Sequence, residues 1–222
     1  RTTTQEGELT FELRNADGST AEMSGNGLRC LAQAALDAGL IKAATPTTIH
    51  TPAGPRHVTA TPAEAPRTAW VSVDMGVPEV HGEADQYNVG RCNVGHGNLR
   101  VNLGNPHLVV LGPDPATIPV EELGPALEVT QPGGQNVEFV ALGPGPDEIT
   151  MRVWERGVGE TLACGTGACA AAVAAHHWGR SGRKVTVHQP GGDAAVELKP
   201  DGHVFLSGPS QRIATCTVEL PL

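Results

Sequence analysis

Two short glycine turns, each followed by an apolar run, most constrain how this chain can fold. Residues 22–33, EMSGNGLRCLAQ, and residues 159–172, GETLACGTGACAAA, both pass through Gly-x-Gly into a helix-like segment. The residue before the first glycine is Ser24 in one turn and Cys164 in the other, 140 positions apart. That separation is too long for a solenoid repeat and suits a duplicated unit. The sequence therefore predicts two matching helix starts, related by pseudo-symmetry, around one site.

The rest of the chain has mainly the pattern of short strands. The two helices are expected at roughly 27–39 and 167–178, because a glycine suited to a helix C-terminus ends each of them. A weaker helix is predicted to begin at Pro119. Between the helices, runs such as WVSVDM and ITMRVWE alternate with the period of half-buried strands. Proline-rich stretches at 52–66 and 112–119 are expected to be loops.

This order of elements predicts an α+β fold of two similar, pseudo-symmetric units, each with a sheet around one central helix. The expected boundaries are 80–210 for the C-terminal domain, and 1–79 plus 211–222 for an incomplete N-terminal half-domain. Aromatic residues make up only 3% of the chain. The core is therefore expected to consist of valine, leucine and alanine.

Charge and composition narrow the class of partner. The formal net charge is −9 and no run of lysine or arginine exceeds two residues, which argues against nucleic acid and anionic membranes as partners. No apolar run approaches the length of about 18 residues that a membrane helix needs, and no charged-then-apolar leader begins the chain. We therefore expect a soluble, cytoplasmic protein with a small-molecule substrate.

The cysteines have two predicted roles. All five are expected to be reduced, because their number is odd and no C-x-x-C pair occurs. Cys164 lies where a helix start leaves backbone N–H groups unpaired, so its pKa is predicted to fall below the free value of about 8.5. The others are interpreted as inert core residues; these are Cys30, Cys92, Cys169 and Cys216.

Five sequence blocks together resemble the diaminopimelate epimerase family, in the order that this family has. They are NADGSTAEMSGNGLRC (15–30), GNPH (104–107), NVEF (136–139), ERGVGETLACGTGACAA (155–171) and PGG (190–192). The resemblance implies two α+β domains, each a barrel-like, mostly antiparallel sheet around a central helix. The active site is expected in the cleft between them. The resemblance also implies inversion of one α-carbon of diaminopimelate, LL to meso, in lysine and peptidoglycan precursor biosynthesis. The implied enzyme is a homodimer that uses two cysteines and neither pyridoxal phosphate nor metal.

Such an inversion removes a proton from one face of the carbon and delivers one to the other, so two acid–base groups must flank it. By resemblance, Cys164 is the second catalytic thiol, Ser24 stands at the position of the first, and Glu155 and His107 lie beside the two bases. The resemblance also implies that four residues hold the substrate, namely Asn15, Asn105, Asn136 and Arg156. Backbone N–H groups at both helix starts are expected to stabilise the substrate carboxylate and the developing charge; they belong to Gly25, Asn26 and Gly27, and to Gly165, Thr166 and Gly167.

Two departures from the family pattern leave alternatives open. The family's opening block, of the form H-G-x-G-N-D-F, is absent, which suggests a truncated N-terminus. Ser24 replaces a thiol by a hydroxyl, a far weaker acid, which would need help from His107. One alternative is therefore a variant that binds diaminopimelate but is inactive or impaired. Another is an acyl-transfer enzyme in which Cys164 is a nucleophile activated by His107. No metal is expected, since His176 and His177 have no third ligand at zinc spacing.

Overall fold

The computed structural model describes residues 2–5, 8–14, 18, 20–21, 23–83 and 97–215. Strands dominate this part of the chain, and three α-helices and one short 3-10 helix accompany them. The helices are α1 (Gly25–Asp37), α2 (Val120–Glu128) and α3 (Gly165–His177), and the 3-10 helix is Pro115–Thr117. The strands are β1 (Thr2–Gln5), β2 (Glu8–Phe11), β3 (Leu13–Arg14), β4 (Thr20–Ala21), β5 (Thr47–Thr51), β6 (Gly54–Pro62), β7 (Thr68–Asp74), β8 (Glu79–Glu83), β9 (Gly97–Asn102), β10 (Pro106–Leu111), β11 (Asn136–Leu142), β12 (Glu148–Glu155), β13 (Gly159–Thr161), β14 (Lys184–His188), β15 (Ala194–Leu198) and β16 (Val204–Gln211).

Fourteen of the strands form one mixed, mostly antiparallel sheet, in the order β1-β2-β5-β6-β7-β16-β15-β14-β12-β11-β10-β9-β8, with β13 paired to β12. Strands β3 and β4 form a separate pair. Helix α1 packs against β6, β7 and β16, whereas α3 packs against β9 to β12 and β14 to β16. The predicted α+β fold, with strands around each of two central helices, is confirmed, and one continuous sheet supplies the strands for both helices.

Alanine-rich sequence explains why α3 can be a central helix. Its residues from Gly165 to Ala175 are all buried, so the helix is covered on every side. Small side chains let the surrounding strands approach its backbone closely, and one contiguous apolar core joins α3 to α1. Helix α2 covers the other face of β10 and β11 through a second apolar cluster, which includes Leu108, Val137 and Phe139. Strands β10 and β11 are therefore buried on both faces.

Strand β6 corrects one prediction from the sequence. The proline-rich stretch 52–66 was expected to be a loop, yet Gly54–Pro62 is a nine-residue strand between β5 and β7. Prolines 55 and 62 lie near its two ends, where a missing N–H costs least. Val58 and Ala60 between them point into the core. In 112–119 the only helical structure is the 3-10 turn, as expected of a connecting segment.

Strand β16 pairs with β7 on one side and with β15 on the other, so it joins the strands around α1 to those around α3. The domain boundaries at 79–80 and 210–211 stay a prediction. Of the helices in the described part of the chain, none combines the length and apolar character that a membrane crossing requires.

Candidate active site

Cys164 is the residue that caps the start of α3. Its backbone is extended, with φ −125° and ψ 119°, and its Sγ accepts a hydrogen bond from the N–H of Gly167 at 3.4 Å. Its own N–H donates to Oε1 of Gln189 at 2.8 Å. The thiol is therefore held over the first turn of the helix, among N–H groups that no helical carbonyl satisfies.

Ser24 has the same place at the start of α1. Its backbone is extended too, with φ −147° and ψ 110°, and its Oγ accepts from the N–H of Gly27 at 3.0 Å. The spacing from capping residue to glycine donor is three in both cases. The predicted pair of matching helix starts is therefore present, with a hydroxyl at one and a thiol at the other.

The two helix starts meet at one side chain of β16. A β-carbon added at Gly25 would lie 2.5 Å from Cδ2 of Leu206, and one added at Gly165 would lie 2.8 Å from the same atom. Across this contact, Nδ2 of Asn26 donates to the carbonyl of Ala163 at 3.4 Å. Only glycine lets both helix starts approach this closely.

A chain of hydrogen bonds leads from a buried carboxylate to the thiol. Oε1 of Glu138 lies 2.6 Å from Nδ1 of His107, and Nε2 of His107 lies 3.1 Å from Oδ1 of Asn105. Nδ2 of Asn105 donates to Oγ1 of Thr166 at 3.3 Å, and that oxygen lies 3.4 Å from Sγ of Cys164. The chain thus joins β10, β11 and the first turn of α3.

Burial reverses the predicted shift of the Cys164 pKa. The side chain is almost completely buried, at 6% exposure, and this burial raises its pKa above the ordinary value. The charges of Glu155 and Glu138 raise the pKa further, while the hydrogen bonds from Thr166 and Gly167 lower it by less. The prediction of a lowered pKa was wrong, because desolvation and two carboxylates outweigh the helix start. The raised pKa favours the protonated thiol of Cys164 at neutral pH.

Glu155 ends β12 and lies half-buried near Cys164. Its Oε1 accepts a hydrogen bond from the hydroxyl of Thr161, which fixes the carboxylate. After burial, its charge is the largest influence on the pKa of Cys164. The structure therefore brings together Glu155 and Cys164, as well as His107 and Asn105, within one site.

Asn136 is buried, and both polar atoms of its side chain are hydrogen-bonded to backbone groups. Nδ2 donates to the carbonyl of Pro106 at 3.0 Å, and Oδ1 accepts from the N–H of Arg156 at 3.0 Å. Nη1 of Arg156 donates to the carbonyl of Gly133 at 3.4 Å. Asn136 therefore positions the start of β10 and the residue after β12. Asn15 lies outside the described residues, as do Cys92 and Cys216.

Comparison with known sequences agrees with this geometry. A profile of the family "Diaminopimelate epimerase" matches residues 2–81 and 99–213, which include both helix starts. The chain belongs to the diaminopimelate epimerase family. The diaminopimelate epimerase of Desulfitobacterium hafniense is 41% identical over 212 residues, which cover 90% of this chain and 74% of that protein. The one from Synechococcus elongatus is 40% identical, covering 96% and 79% respectively.

Solved structures with lower identity share the fold of this epimerase family member. A protein of Pseudomonas aeruginosa described as a predicted epimerase has a TM-score of 0.74 at 17% identity, covering 96% of this chain and 83% of its own. A probable proline racemase of Agrobacterium radiobacter has a TM-score of 0.67 at 19% identity, covering 96% and 74%. The family assignment confirms that the chain is an isomerase of the epimerase class. The acyl-transfer alternative is not favoured.

Three polar residues of this epimerase were missed from the sequence, namely Glu138, Gln189 and Arg29. Glu138 carried a signal, since it is the one charged residue within the apolar strand NVEFVAL. Gln189 precedes the PGG block, and its contact with the N–H of Cys164 joins distant segments. Nη2 of Arg29 donates to Oδ1 of Asn26 at 2.8 Å and so orients that amide. Cys30, interpreted as a core residue, is exposed, whereas Cys169 is buried.

Proposed function

We propose that this epimerase interconverts LL- and meso-diaminopimelate by two-base proton transfer at one α-carbon, without a cofactor. The observation that carries the proposal is the pair of helix starts that meet at Leu206 and present Ser24 Oγ and Cys164 Sγ in the same capping geometry. One acid–base group on each face of a carbon is what inversion requires. The relatives are named diaminopimelate epimerase, and this is why diaminopimelate is proposed as the substrate.

The helix starts also suit the charge that develops during the reaction. Loss of the α-proton places negative charge on the substrate carboxylate, and unpaired N–H groups at two helix N-termini stabilise such charge. Gly25 and Asn26 supply them on one side, and Gly165 and Thr166 on the other. These four residues are proposed to grip the reacting carboxylate.

Because Cys164 is a buried thiol, the first step is proposed to be the transfer of its proton. Cys164 carries its proton in this state, so it acts as an acid until a base removes that proton. Glu155 is proposed as this base, since its carboxylate is near enough to Cys164 for its charge to be, after burial, the largest influence on the pKa of that thiol. The ammonium group of a bound substrate would stabilise the thiolate that forms. His107 is proposed to act on Cys164 through the hydrogen bonds of Asn105 and Thr166.

Four side chains are proposed to bind the substrate, with Arg156 at its far end: Asn15, Asn105, Asn136 and Arg156. A guanidinium binds a carboxylate with two parallel hydrogen bonds, and amide groups serve both ammonium and carboxylate. We further propose a homodimer in the cytoplasm that acts in lysine and peptidoglycan precursor biosynthesis. Light scattering of the purified chain tests the dimer.

Proton NMR of each diaminopimelate isomer in deuterated solvent tests the function. Inversion together with uptake of deuterium at the α-carbon supports the proposal. Uptake is expected to outrun inversion, because the Ser24 hydroxyl delivers a proton poorly. Uptake with no inversion at all would show that only the Cys164 face works and would contradict the two-base proposal. Binding with neither exchange nor inversion would contradict the proposal and leave an inactive binding protein.

A further inference from the structure

Arg156 lies in the tight turn that follows β12. The N–H of Val158 donates to the carbonyl of Glu155 at 3.0 Å and closes this turn. Because Gly157, unlike Arg156, has a positive φ, of 72°, the turn is of type II. In a type II turn the N–H of the third residue, here Gly157, points out of the turn. It therefore needs a hydrogen-bond acceptor from elsewhere.

Glu128, the last residue of α2, binds the residues on both sides of Arg156. Its Oε1 accepts from the N–H of Gly157 at 3.2 Å, and its Oε2 accepts from Nε1 of Trp154 at 2.7 Å. The N–H of Arg156 itself donates to Oδ1 of Asn136. Side-chain oxygens therefore bind both peptide N–H groups next to the α-carbon of Arg156, which fixes the orientation of both peptide planes.

The same end of α2 holds the surface on which the Arg156 side chain lies. The backbone carbonyl of Glu128 accepts from the N–H of Gln135 at 3.2 Å and so closes the loop between them. A β-carbon added at Gly134 would lie 3.0 Å from Cδ of Arg156, and Nη1 of Arg156 donates to the carbonyl of Gly133 at 3.4 Å. The stem and one guanidinium nitrogen of Arg156 thus rest on the loop that follows Glu128.

Helix α2 by itself does not favour a carboxylate at this position. The C-terminus of a helix carries partial negative charge, so an acidic side chain in the last turn opposes the helix. A β-carbon added at Gly124 would overlap the indole of Trp154, so α2 packs directly on that ring. The two hydrogen bonds of the Glu128 side chain to the segment around Arg156 therefore explain this carboxylate better than the helix does.

We propose that Glu128 is a positioning residue for substrate selection, which holds the turn of Arg156 so that the guanidinium is preorganised for the carboxylate at the far end of the substrate. The inference rests on the proposed function for its ligand and on hydrogen-bond geometry for the positioning. A preorganised side chain loses less conformational entropy when it binds. Glu155, which precedes Arg156, is held separately by Thr161, so the loss of Glu128 should weaken binding rather than lower kcat.

Proton–nitrogen NMR of the complete chain without substrate tests the positioning bonds. The chain has three tryptophans, and the variant Trp154→Phe assigns the indole signal of Trp154. Glu128→Ala removes both acceptor oxygens, so the indole proton of Trp154 and the amide proton of Gly157 are expected to move upfield. Glu122→Ala is the matched control, because it changes an exposed carboxylate of the same helix, and it should leave both signals in place. Signals that do not move in Glu128→Ala would overturn the proposal.

Calorimetric titration with meso-diaminopimelate measures the consequence for binding without requiring turnover. We expect Glu128→Ala to raise Kd by about fivefold or more, and Glu128→Gln to raise it less, because a glutamine amide has one acceptor oxygen for two donors. In the Arg156→Ala background, Glu128→Ala should change Kd by less than about twofold, since a positioning residue has no effect once the residue that it positions is absent.

An equal effect of Glu128→Ala with and without the Arg156 side chain would indicate a general structural role and would overturn the proposal. So would an unchanged Kd in a folded Glu128→Ala. If that variant does not fold, Glu128→Gln decides by the same comparison. A wild type that binds meso-diaminopimelate and shows the expected variant effects without inverting the substrate would refute the proposed epimerase activity and leave this inference standing. A wild type that does not bind diaminopimelate would overturn both.

Discussion

Gly25 and Gly165 face the same δ-methyl group of Leu206 from the N-termini of two different helices. Any β-carbon at Gly165 would press on that methyl group and also on Oδ1 of Asn26, 3.0 Å away. We expect Gly165→Ala to lower the free energy of unfolding by about 1–3 kcal/mol, the usual range for overpacking. Urea unfolding followed by circular dichroism measures it.

Leu206→Val provides the matched test of that contact, since it removes the δ-methyl groups. Alone it should cost about 1 kcal/mol. The double variant that combines Leu206→Val with Gly165→Ala should lose less free energy of unfolding than the sum of the two single losses. The reason is that the shorter side chain at position 206 leaves room for the added β-carbon. Strictly additive losses would mean that Leu206 is not what Gly165 must avoid.

Ser24→Cys should increase the rate of inversion. A thiol is a stronger acid than a hydroxyl and can deliver a proton to the face opposite Cys164. In the wild type, deuterium uptake should outrun inversion for one isomer, and in the variant the two rates should converge. A proton NMR time course on each isomer provides both rates. Equal inversion rates for the two proteins would show that the Ser24 hydroxyl is a competent acid–base group.

Cys164 should react slowly with iodoacetamide at pH 8, at least about tenfold more slowly than Cys30 in the same chain. Cys30 is exposed, whereas burial and the charge of Glu155 hold the pKa of Cys164 high. The rate should rise as pH increases, since only the thiolate reacts. Peptide mass mapping of timed samples measures both sites.

Glu155→Gln distinguishes the effect of the nearby charge on the alkylation of Cys164 from the effect of burial. It removes a negative charge near the sulfur without changing the shape of the side chain, so the pKa of Cys164 should fall and its alkylation at pH 8 should accelerate by about threefold or more. An unchanged rate would attribute the protection to burial alone.

Arg156→Ala should raise KM for diaminopimelate by about tenfold to a hundredfold, the scale of a lost charge-assisted hydrogen bond of about 1.5–3 kcal/mol. Arg156→Lys should recover part of the loss, because it retains the charge without the planar fork. Steady-state kinetics on both variants tests this. An unchanged KM would remove Arg156 from the substrate site.

His203 and Asp74 provide a pH-dependent contribution to stability. Nδ1 of His203 lies 2.9 Å from Oδ1 of Asp74, and this hydrogen bond raises the pKa of His203. The stabilisation is therefore complete below the unfolded value of about 6.5 and is lost as pH rises through the higher folded pKa. His203→Gln should lower the free energy of unfolding at pH 6, by under about 1 kcal/mol since the pair is partly exposed, and hardly at pH 9.

Asp74→Asn is the matched variant for that pair, because its amide oxygen still accepts from the N–H of Gly76. It should lose the same pH-dependent part of the stability. Urea titrations at the two pH values measure the difference. A loss that is equal at pH 6 and pH 9 would contradict the assignment to a charged His203.

Local signals were sufficient for the helices and for the two capping positions, Ser24 and Cys164. Gly-x-Gly followed by an apolar run predicted α1 and α3, because helix starts are determined by nearby residues. Strand β6 was missed, since prolines dominate its local sequence and its pairing partners lie in other segments. Glu138 was missed for the same reason. A charged residue in a strand acquires its partner, here His107 on β10, only through parallel pairing of distant segments.

The sequence by itself determined that Ser24 and Cys164 precede equivalent helices, and five sequence blocks provided the resemblance to the family. The protonation of Cys164 was decided only by the tertiary structure. A helix start alone lowers the pKa of a thiol, as the local sequence predicts. Folding buries that thiol and brings up the carboxylates of Glu155 and Glu138 from other strands, and both effects raise the pKa. Burial and charge are summed over everything that surrounds an atom, and those surroundings come from the whole chain.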